Sequence, residues 1–156
     1  MDKGQNQKLA EKLKIFNKIL LSDSFAHVAS ILNNGSPHVT PVWFNYDETE
    51  LVIRITTFKN SQKNKNFKRN KSVALSILDN DNPYCYIQIQ GKIISSEIDK
   101  NSKFSNYLTK KYSNGKQTAY PKDEKKNIMV YTIKPKKITG WNPKSAEEFY
   151  NWMNGT

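Results

Sequence analysis

A short segment in the first half of the chain combines lysines, hydroxyls and asparagines at a spacing that suits anion binding. Residues 56–66 read TTFKNSQKNKN. Thr56 and Thr57 end an apolar run, and Ser61 precedes Lys63 and Lys65 at the start of a predicted short helix. Free amides at a helix start, hydroxyl donors and ammonium groups are the partners that a phosphate ester needs. The segment therefore predicts a phosphate site, with a solvated basic helix as the alternative.

A second candidate segment, GSPHVTPVWF, covers residues 35–44. Pro41 lies inside a predicted strand and removes a donor from the ladder, so it indicates an edge strand or a bulge. Such a position leaves backbone groups free for a ligand. An edge strand with ordinary aromatic packing is the alternative.

The remaining reactive side chains are expected to be structural. Neither His27 nor His38 has a carboxylate partner nearby in the sequence. Cys85 is the single cysteine, which rules out a disulfide within the chain and a cysteine-rich zinc site. We therefore predict a core thiol, no catalytic side chain and no metal site.

The elements that must position these residues follow from hydrophobic periodicity. An amphipathic helix is predicted over about 5–21, a helix begins near Asp99 and runs to about Tyr112, and a short C-terminal helix covers about 145–153. A loop is expected at 113–126. Six strands are predicted, at residues 25–32, 37–46, 51–56, 73–79, 84–97 and 127–141.

The order of these elements predicts a mainly β (α+β) fold. Tight turns join the first three strands, as in an antiparallel meander, and Gly91 marks an expected bulge. A chain of 156 residues buries about 70% of its extended surface, enough for one core. We expect a single domain over residues 1–156, a six-stranded antiparallel split β-barrel with short flanking helices.

The charge and the hydropathy of the chain limit the classes of function that we expect. The net charge is +11, but only Arg54 and Arg69 are arginine, while the chain has 18 asparagines. Specific readers of nucleic acid favour arginine, so charge alone does not lead us to expect a nucleic-acid protein. No run approaches the roughly 20 apolar residues of a membrane span. We expect a cytoplasmic protein without membrane contact.

The succession of motifs resembles one known family. It comprises Gly35-Ser36-Pro37, Thr40-Pro41-Val42-Trp43-Phe44, Thr56-Thr57, Lys63-Asn64-Lys65-Asn66-Phe67, Asn70-Lys71-Ser72-Val73-Ala74-Leu75, Asn82-Pro83-Tyr84, Gln90-Gly91-Lys92 and Ile138-Thr139-Gly140-Trp141. Over about residues 20–142 the chain resembles the pyridoxamine 5′-phosphate oxidase-like split β-barrel proteins, which are flavin and deazaflavin oxidoreductases. It is most similar to their deazaflavin-dependent branch.

The resemblance implies a cofactor site and a homodimer. Lys63 matches a phosphate-binding lysine, Ser61 and Thr57 match assisting hydroxyls, and Lys65 replaces an arginine. The remaining cofactor-binding residues implied are Thr40, Pro41, Val42, Trp43 and Thr56. The implied cofactor is F420, with FMN as the alternative, bound at the interface of a homodimer that acts on a small molecule.

Three departures from the family pattern keep other functions open. Gln62 stands where oxidases often have a second basic residue, Lys71 replaces a proline, and no arginine lies near Thr40. The alternatives are an FMN-binding pyridoxamine 5′-phosphate oxidase-like protein, a cofactor carrier without turnover, and a basic nucleic-acid module.

Overall fold

Seven antiparallel strands form one sheet in the computed structural model, which describes residues 3–114, 127–144 and 146–155. The strands are β1 (Ala26–Ile31), β2 (Pro37–Val42), β3 (Phe44–Asp47), β4 (Val52–Phe58), β5 (Ser72–Leu78), β6 (Tyr86–Ile98) and β7 (Ile128–Trp141). The helices are α1 (Lys3–Ile15), α2 (Asn17–Leu20), α3 (Gln62–Arg69), α4 (Lys103–Tyr112) and α5 (Ala146–Asn154). The order across the sheet is β2-β1-β5-β6-β7-β4-β3.

The count of seven strands corrects the predicted six, because the predicted strand 37–46 is divided at Trp43. Before Trp43 the chain pairs with β1, and after it with β4. Strands β2 and β3 are therefore the two edges of the sheet, and they meet at the one residue that joins them. Val42 and Phe44 are both buried, so the alternation continues through the break and the sequence shows one strand. No ladder joins β2 to β3, so the sheet is not closed.

The core fills the inner face of this sheet and is covered by helices. Alternate residues of β4, β5 and β6 are buried, as the period of two requires. The largest fully buried side chains are Leu13, Leu20, Phe44, Ile53, Ile55, Phe67, Ile77, Ile87, Ile89, Leu108, Tyr131 and Ile133.

The predicted N-terminal helix 5–21 is two helices, α1 and α2, separated at Phe16. Phe16 has φ −107° and ψ 16°, outside the helical region. Its ring is nevertheless buried, together with Leu9, Leu13 and Leu20. The apolar face predicted from their spacing is thus confirmed, although the backbone bends within it.

The region before α4 begins with a 3₁₀ turn, Lys100–Ser102, rather than with a regular helix. Asn101 and Ser102 have φ of 57° and 55°, which interrupts the helix predicted from Asp99. The Asp99 carboxylate accepts hydrogen bonds from the backbone N–H groups of Phe104 and Ser105, both at 2.9 Å. The Asp99 carboxylate therefore caps the first turn of α4, which begins at Lys103 rather than near Asp99.

Two predicted segments fall partly outside the described residues. Most of the expected loop 113–126 lies there, as does Ser145, the first residue of the predicted C-terminal helix. Helix α5 itself begins at Ala146, and the Lys144 amide donates to the Glu148 carboxylate over 2.7 Å. Among the described helices, none has the length and apolar character needed to cross a membrane.

Candidate functional site

A cavity of about 320 Å³ lies where the two edges of the sheet meet, between the end of β4, the start of α3 and one side of α4. The described lining contains one ammonium group and several hydroxyls, here called the polar end, and a set of apolar side chains, here called the apolar end. The residues that line it are Phe25, Pro41, Val42, Trp43, Thr56, Thr57, Phe58, Ser61, Lys63, Ser105, Leu108 and Ile128.

The polar end is formed by the ammonium group of Lys63 and three hydroxyl groups. Lys63 Nζ donates to Thr40 Oγ1 over 2.9 Å. Thr57 Oγ1 lies 2.7 Å from Ser61 Oγ, and Ser61 Oγ also accepts from the Asn64 amide at 3.1 Å. Ser61 is therefore the N-cap of α3, and it brings the start of this helix to the cavity wall.

Two buried asparagines hold α3 so that Lys63 projects toward the cavity. The Asn64 side chain donates to the Lys59 carbonyl over 2.6 Å and accepts from the Tyr131 hydroxyl. Asn66 Nδ2 donates to Ser30 Oγ over 3.0 Å. Because both amides are buried and bonded, the orientation of α3 is fixed before any ligand binds.

Lys63 carries an uncompensated positive charge. Burial lowers the pKa of its ammonium group, since desolvation disfavours the charged form. Among the described residues, no carboxylate forms an ion pair with it. The described lining also contains no aspartate, glutamate or histidine. An anionic group in the cavity would supply the missing counter-charge.

The apolar end is a wall of aromatic and aliphatic side chains. The Trp43 ring stacks on Tyr112, with centroids 5.0 Å apart and planes 3° apart. Phe25 packs against the same tyrosine at 5.6 Å. Leu108 from α4 and Ile128 from β7 complete this side. Such a wall suits a flat, largely apolar ring.

Seven of the nine residues predicted from the sequence line this cavity: Pro41, Val42, Trp43, Thr56, Thr57, Ser61 and Lys63. Thr40 joins them through its hydrogen bond to Lys63. Lys65 is exposed on α3 and does not line the cavity. The structure thus brings eight of the predicted residues together and leaves Lys65 apart.

Sequence reasoning missed the contribution of α4 and its neighbours. Ser105 and Leu108 line the cavity, and Tyr112 supports Trp43 from behind. The helical spacing predicts that α4 has an apolar face, but nothing in the sequence indicates which part of the sheet that face covers. The sequence likewise predicts Phe25 and Ile128 only as strand residues, and places Phe58 in the segment after the third strand.

The histidines and the cysteine lie away from the cavity lining. His27 is exposed and His38 is half-buried. Cys85 is buried, and burial raises the pKa of its thiol, as expected for a core thiol. Across the described residues, no cluster of three or more His, Cys, Asp or Glu could hold a metal ion.

Comparison with known proteins gives one family. The family model described as pyridoxamine 5′-phosphate oxidase matches residues 14–142. Among solved structures, an F420 reductase is 29% identical, with a TM-score of 0.72 over 79% of this chain and 94% of that one. A comparison with curated proteins gives no match.

Two more distant structures share the fold. General stress protein 26 from Bacillus anthracis is 21% identical, with a TM-score of 0.62 over 87% of this chain and 95% of that one. A conserved hypothetical protein from Mycobacterium tuberculosis is 20% identical, with a TM-score of 0.59 over 91% of this chain and 85% of that one.

Proposed function

Since the chain belongs to the pyridoxamine 5′-phosphate oxidase-like family of split β-barrel proteins, we propose that it is an oxidoreductase. It transfers hydride between a bound, phosphate-bearing flavin or deazaflavin and a small molecule. The observation that carries this proposal is the half-buried Lys63 ammonium, which faces a cavity without a counter-charge among the described residues.

The two ends of the cavity fit the two ends of such a cofactor. The lysine and the hydroxyls of Thr57 and Ser61 suit a phosphate group. The wall around Trp43 suits the ring system. When bound, the flavin or deazaflavin supplies the hydride chemistry.

The protein itself binds the cofactor, orients it and shields it from water. Lys63 and the neighbouring hydroxyls neutralise the anionic tail, while Trp43, Leu108 and Ile128 keep water from one side of the ring. Lys63 is the sole charged side chain among the described lining residues, and it is committed to the tail. We therefore assign no catalytic acid or base among the residues that the structure describes.

F420 is the cofactor we favour, with FMN as the alternative. The TPVWF and NPY segments resemble the deazaflavin-dependent branch. The similarity to the F420 reductase extends over 94% of that protein. An FMN-binding pyridoxamine 5′-phosphate oxidase-like protein is the second candidate, since the family model carries that enzyme's description.

We further propose a cytoplasmic homodimer with two cofactor sites at its interface. The outer face of β1, β2 and β5 carries small side chains at Ala29, Ala74 and Ser76, and Val39 is 58% exposed beside them. Two shallow concavities of about 320 and 380 Å³ lie on this face. A sheet face that small residues leave flat, with an exposed valine among polar neighbours, suits a second copy of the same chain.

Titration of the purified protein with FMN and with F420 tests the function. We expect saturable binding of at least one of them, followed by its reduction or oxidation during turnover. A protein that binds neither and instead shifts DNA, with a steep dependence on salt concentration, would refute the oxidoreductase in favour of the nucleic-acid module. Binding without turnover of any acceptor would favour the carrier.

A further inference from the structure

Tyr112, the last residue of α4, lies behind the cavity rather than in its lining. Its ring stacks on Trp43 with an interplanar angle of 3° and contacts Phe25 at 5.6 Å. Trp43 is the residue at which the chain leaves β1 and joins β4. Tyr112 therefore supports the one position where both edges of the sheet meet.

The hydroxyl of Tyr112 ties together three parts of the chain. It donates to the Ser24 carbonyl at 2.8 Å and accepts from the Phe44 amide at 3.2 Å. Ser24 precedes β1, and Phe44 begins β3. These hydrogen bonds therefore attach the end of α4 to both sides of the β2–β3 corner at Trp43. Burial raises the pKa of Tyr112 to about 12, which keeps the hydroxyl protonated and able to donate.

Lys111 adds a second link from the same helix end. Its Nζ donates to the Phe44 carbonyl over 3.0 Å and lies 4.5 Å from the centre of the Phe44 ring. The last two residues of α4 thus bind both the N–H and the C=O of Phe44. Because Phe44 is held through both of these groups, its neighbour Trp43 cannot shift without breaking the hydrogen bonds to α4.

We propose that Tyr112 is a positioning residue for the ring end of the cavity. It fixes the plane of Trp43 and the β2–β3 corner, so the aromatic wall is formed before a planar ligand binds, and it acts without touching that ligand. This inference rests on the proposed function. It predicts that the Tyr112 hydroxyl affects the binding of a ring system but not the binding of a phosphate at the Lys63 end.

The test compares Tyr112→Phe with Tyr107→Phe. Tyr112→Phe keeps the ring stack and loses the hydroxyl bonds. Tyr107→Phe, on the same helix, loses one hydroxyl bond to Asn45 away from this cavity. Dissociation constants are measured for FMN, for F420 and for inorganic phosphate alone, together with the absorption spectrum of the bound cofactor.

For Tyr112→Phe we expect about tenfold weaker binding of the ring cofactor, the effect of losing a buried hydroxyl. We also expect an altered spectrum of the bound cofactor and unchanged affinity for phosphate, while Tyr107→Phe matches the wild type in all three. If Tyr112→Phe does not fold, Lys111→Met takes its place, because it removes the other link from the end of α4 to Phe44, leaves the cavity lining unchanged and should give the same pattern.

The outcomes separate the two proposals. A wild-type protein that binds neither cofactor overturns the proposed function, and this inference with it. If the wild type binds a cofactor and Tyr112→Phe binds it with the same affinity and the same spectrum, only the positioning role is overturned. An equal loss of phosphate affinity in Tyr112→Phe also overturns it, since that result indicates general loosening of the fold.

Discussion

At the scale of single residues, Lys63 has the environment expected of an anion-binding group. It is half-buried, its ammonium donates to one neutral hydroxyl, and it has no carboxylate partner among the described residues. Its neighbours on α3 differ, because Lys65 and Lys68 are exposed. Position on the helix, rather than residue type, therefore distinguishes the lysine that could bind a ligand.

Lys63→Ala is expected to weaken binding of the phosphate-bearing cofactor by roughly 1.5–3 kcal/mol, the scale of a hydrogen bond to a charged group. Lys68→Ala, on the same helix but exposed, is the matched control and should change affinity little. Isothermal titration measures both. Similar losses in the two variants would mean that overall charge, and not this position, attracts the ligand.

Lys111 makes stability depend on pH. Burial lowers its pKa to about 8 from an ordinary value of 10.5. Between these values the unfolded chain binds more protons than the folded one, so the free energy of unfolding rises with pH. The wild type should therefore gain stability relative to Lys111→Met when the pH is raised from 7 to about 9.5. Urea unfolding of both proteins at the two pH values measures the change, and a decrease would contradict the buried position.

The sequence could predict the lysine and hydroxyl residues because they are close together in the chain and chemically unusual as a group. It could not predict Tyr112, because an aromatic residue at a helical spacing is usual in any packed helix. Its stack on Trp43 and its bond to Ser24 join distant parts of the chain. Only the folded structure shows these contacts.

At the scale of elements, the cavity exists because β2 and β3 are one run of chain that changes partners at Trp43. The alternation of buried residues predicts the strand but not the change, since Val42 and Phe44 keep the same pattern on both sides. The breaks at Phe16 and before α4 were missed for a similar reason. Periodicity reports which side chains are buried, whereas a backbone break depends on tertiary contacts.

For Gly91, by contrast, the local sequence was sufficient to predict a β-bulge. The register of β6 against β7 shifts between Gln90 and Gly91, which confirms the predicted bulge. A Cβ at Gly91 would lie 2.8 Å from Ile133 Cγ2 and 2.9 Å from the Lys134 carbonyl oxygen. The close approach of two strands explains why glycine is found at this bulge.

Gly140 allows a similar close approach, and Gly140→Ala should destabilise the protein. The added Cβ would collide with the Tyr86 carbonyl oxygen and lie 2.9 Å from the Phe16 ring, so β6 and the bend between α1 and α2 must shift. Overpacking of this kind costs about 1–3 kcal/mol in the free energy of unfolding. Denaturant unfolding measures it, with the exposed neighbour Thr139→Ala as the control. Equal stability of the two variants would show that the strands separate easily at this point.

At the scale of the whole molecule, the succession of motifs was more informative than any single motif. Each is short, yet together they predicted the family that the match to residues 14–142 shows. The sheet has the expected antiparallel pairing, with one strand more than predicted. The homodimer and the cofactor stay predictions, because both depend on molecules other than this chain.

The dimer can be tested on the outer sheet face. Val39→Glu places a charge where Val39 is 58% exposed on β2, and burial of an unpaired charge at an interface is costly. Light scattering should show a dimer for the wild type and a monomer for the variant. Ile15→Glu on α1 is the control, since Ile15 has the same exposed fraction. A dimer that survives Val39→Glu but not Ile15→Glu would place the interface elsewhere.

The phosphate site itself is tested most directly by comparing FMN with riboflavin, which has the same ring and no phosphate. Both are titrated into the wild type and into Lys63→Ala, and the matching pair of F420 and its phosphate-free deazaflavin is treated in the same way. We expect the wild type to bind the phosphate-bearing member of a pair more tightly, and Lys63→Ala to lose most of that preference. A preference of the same size in both proteins, or none in the wild type, would contradict a phosphate bound by Lys63.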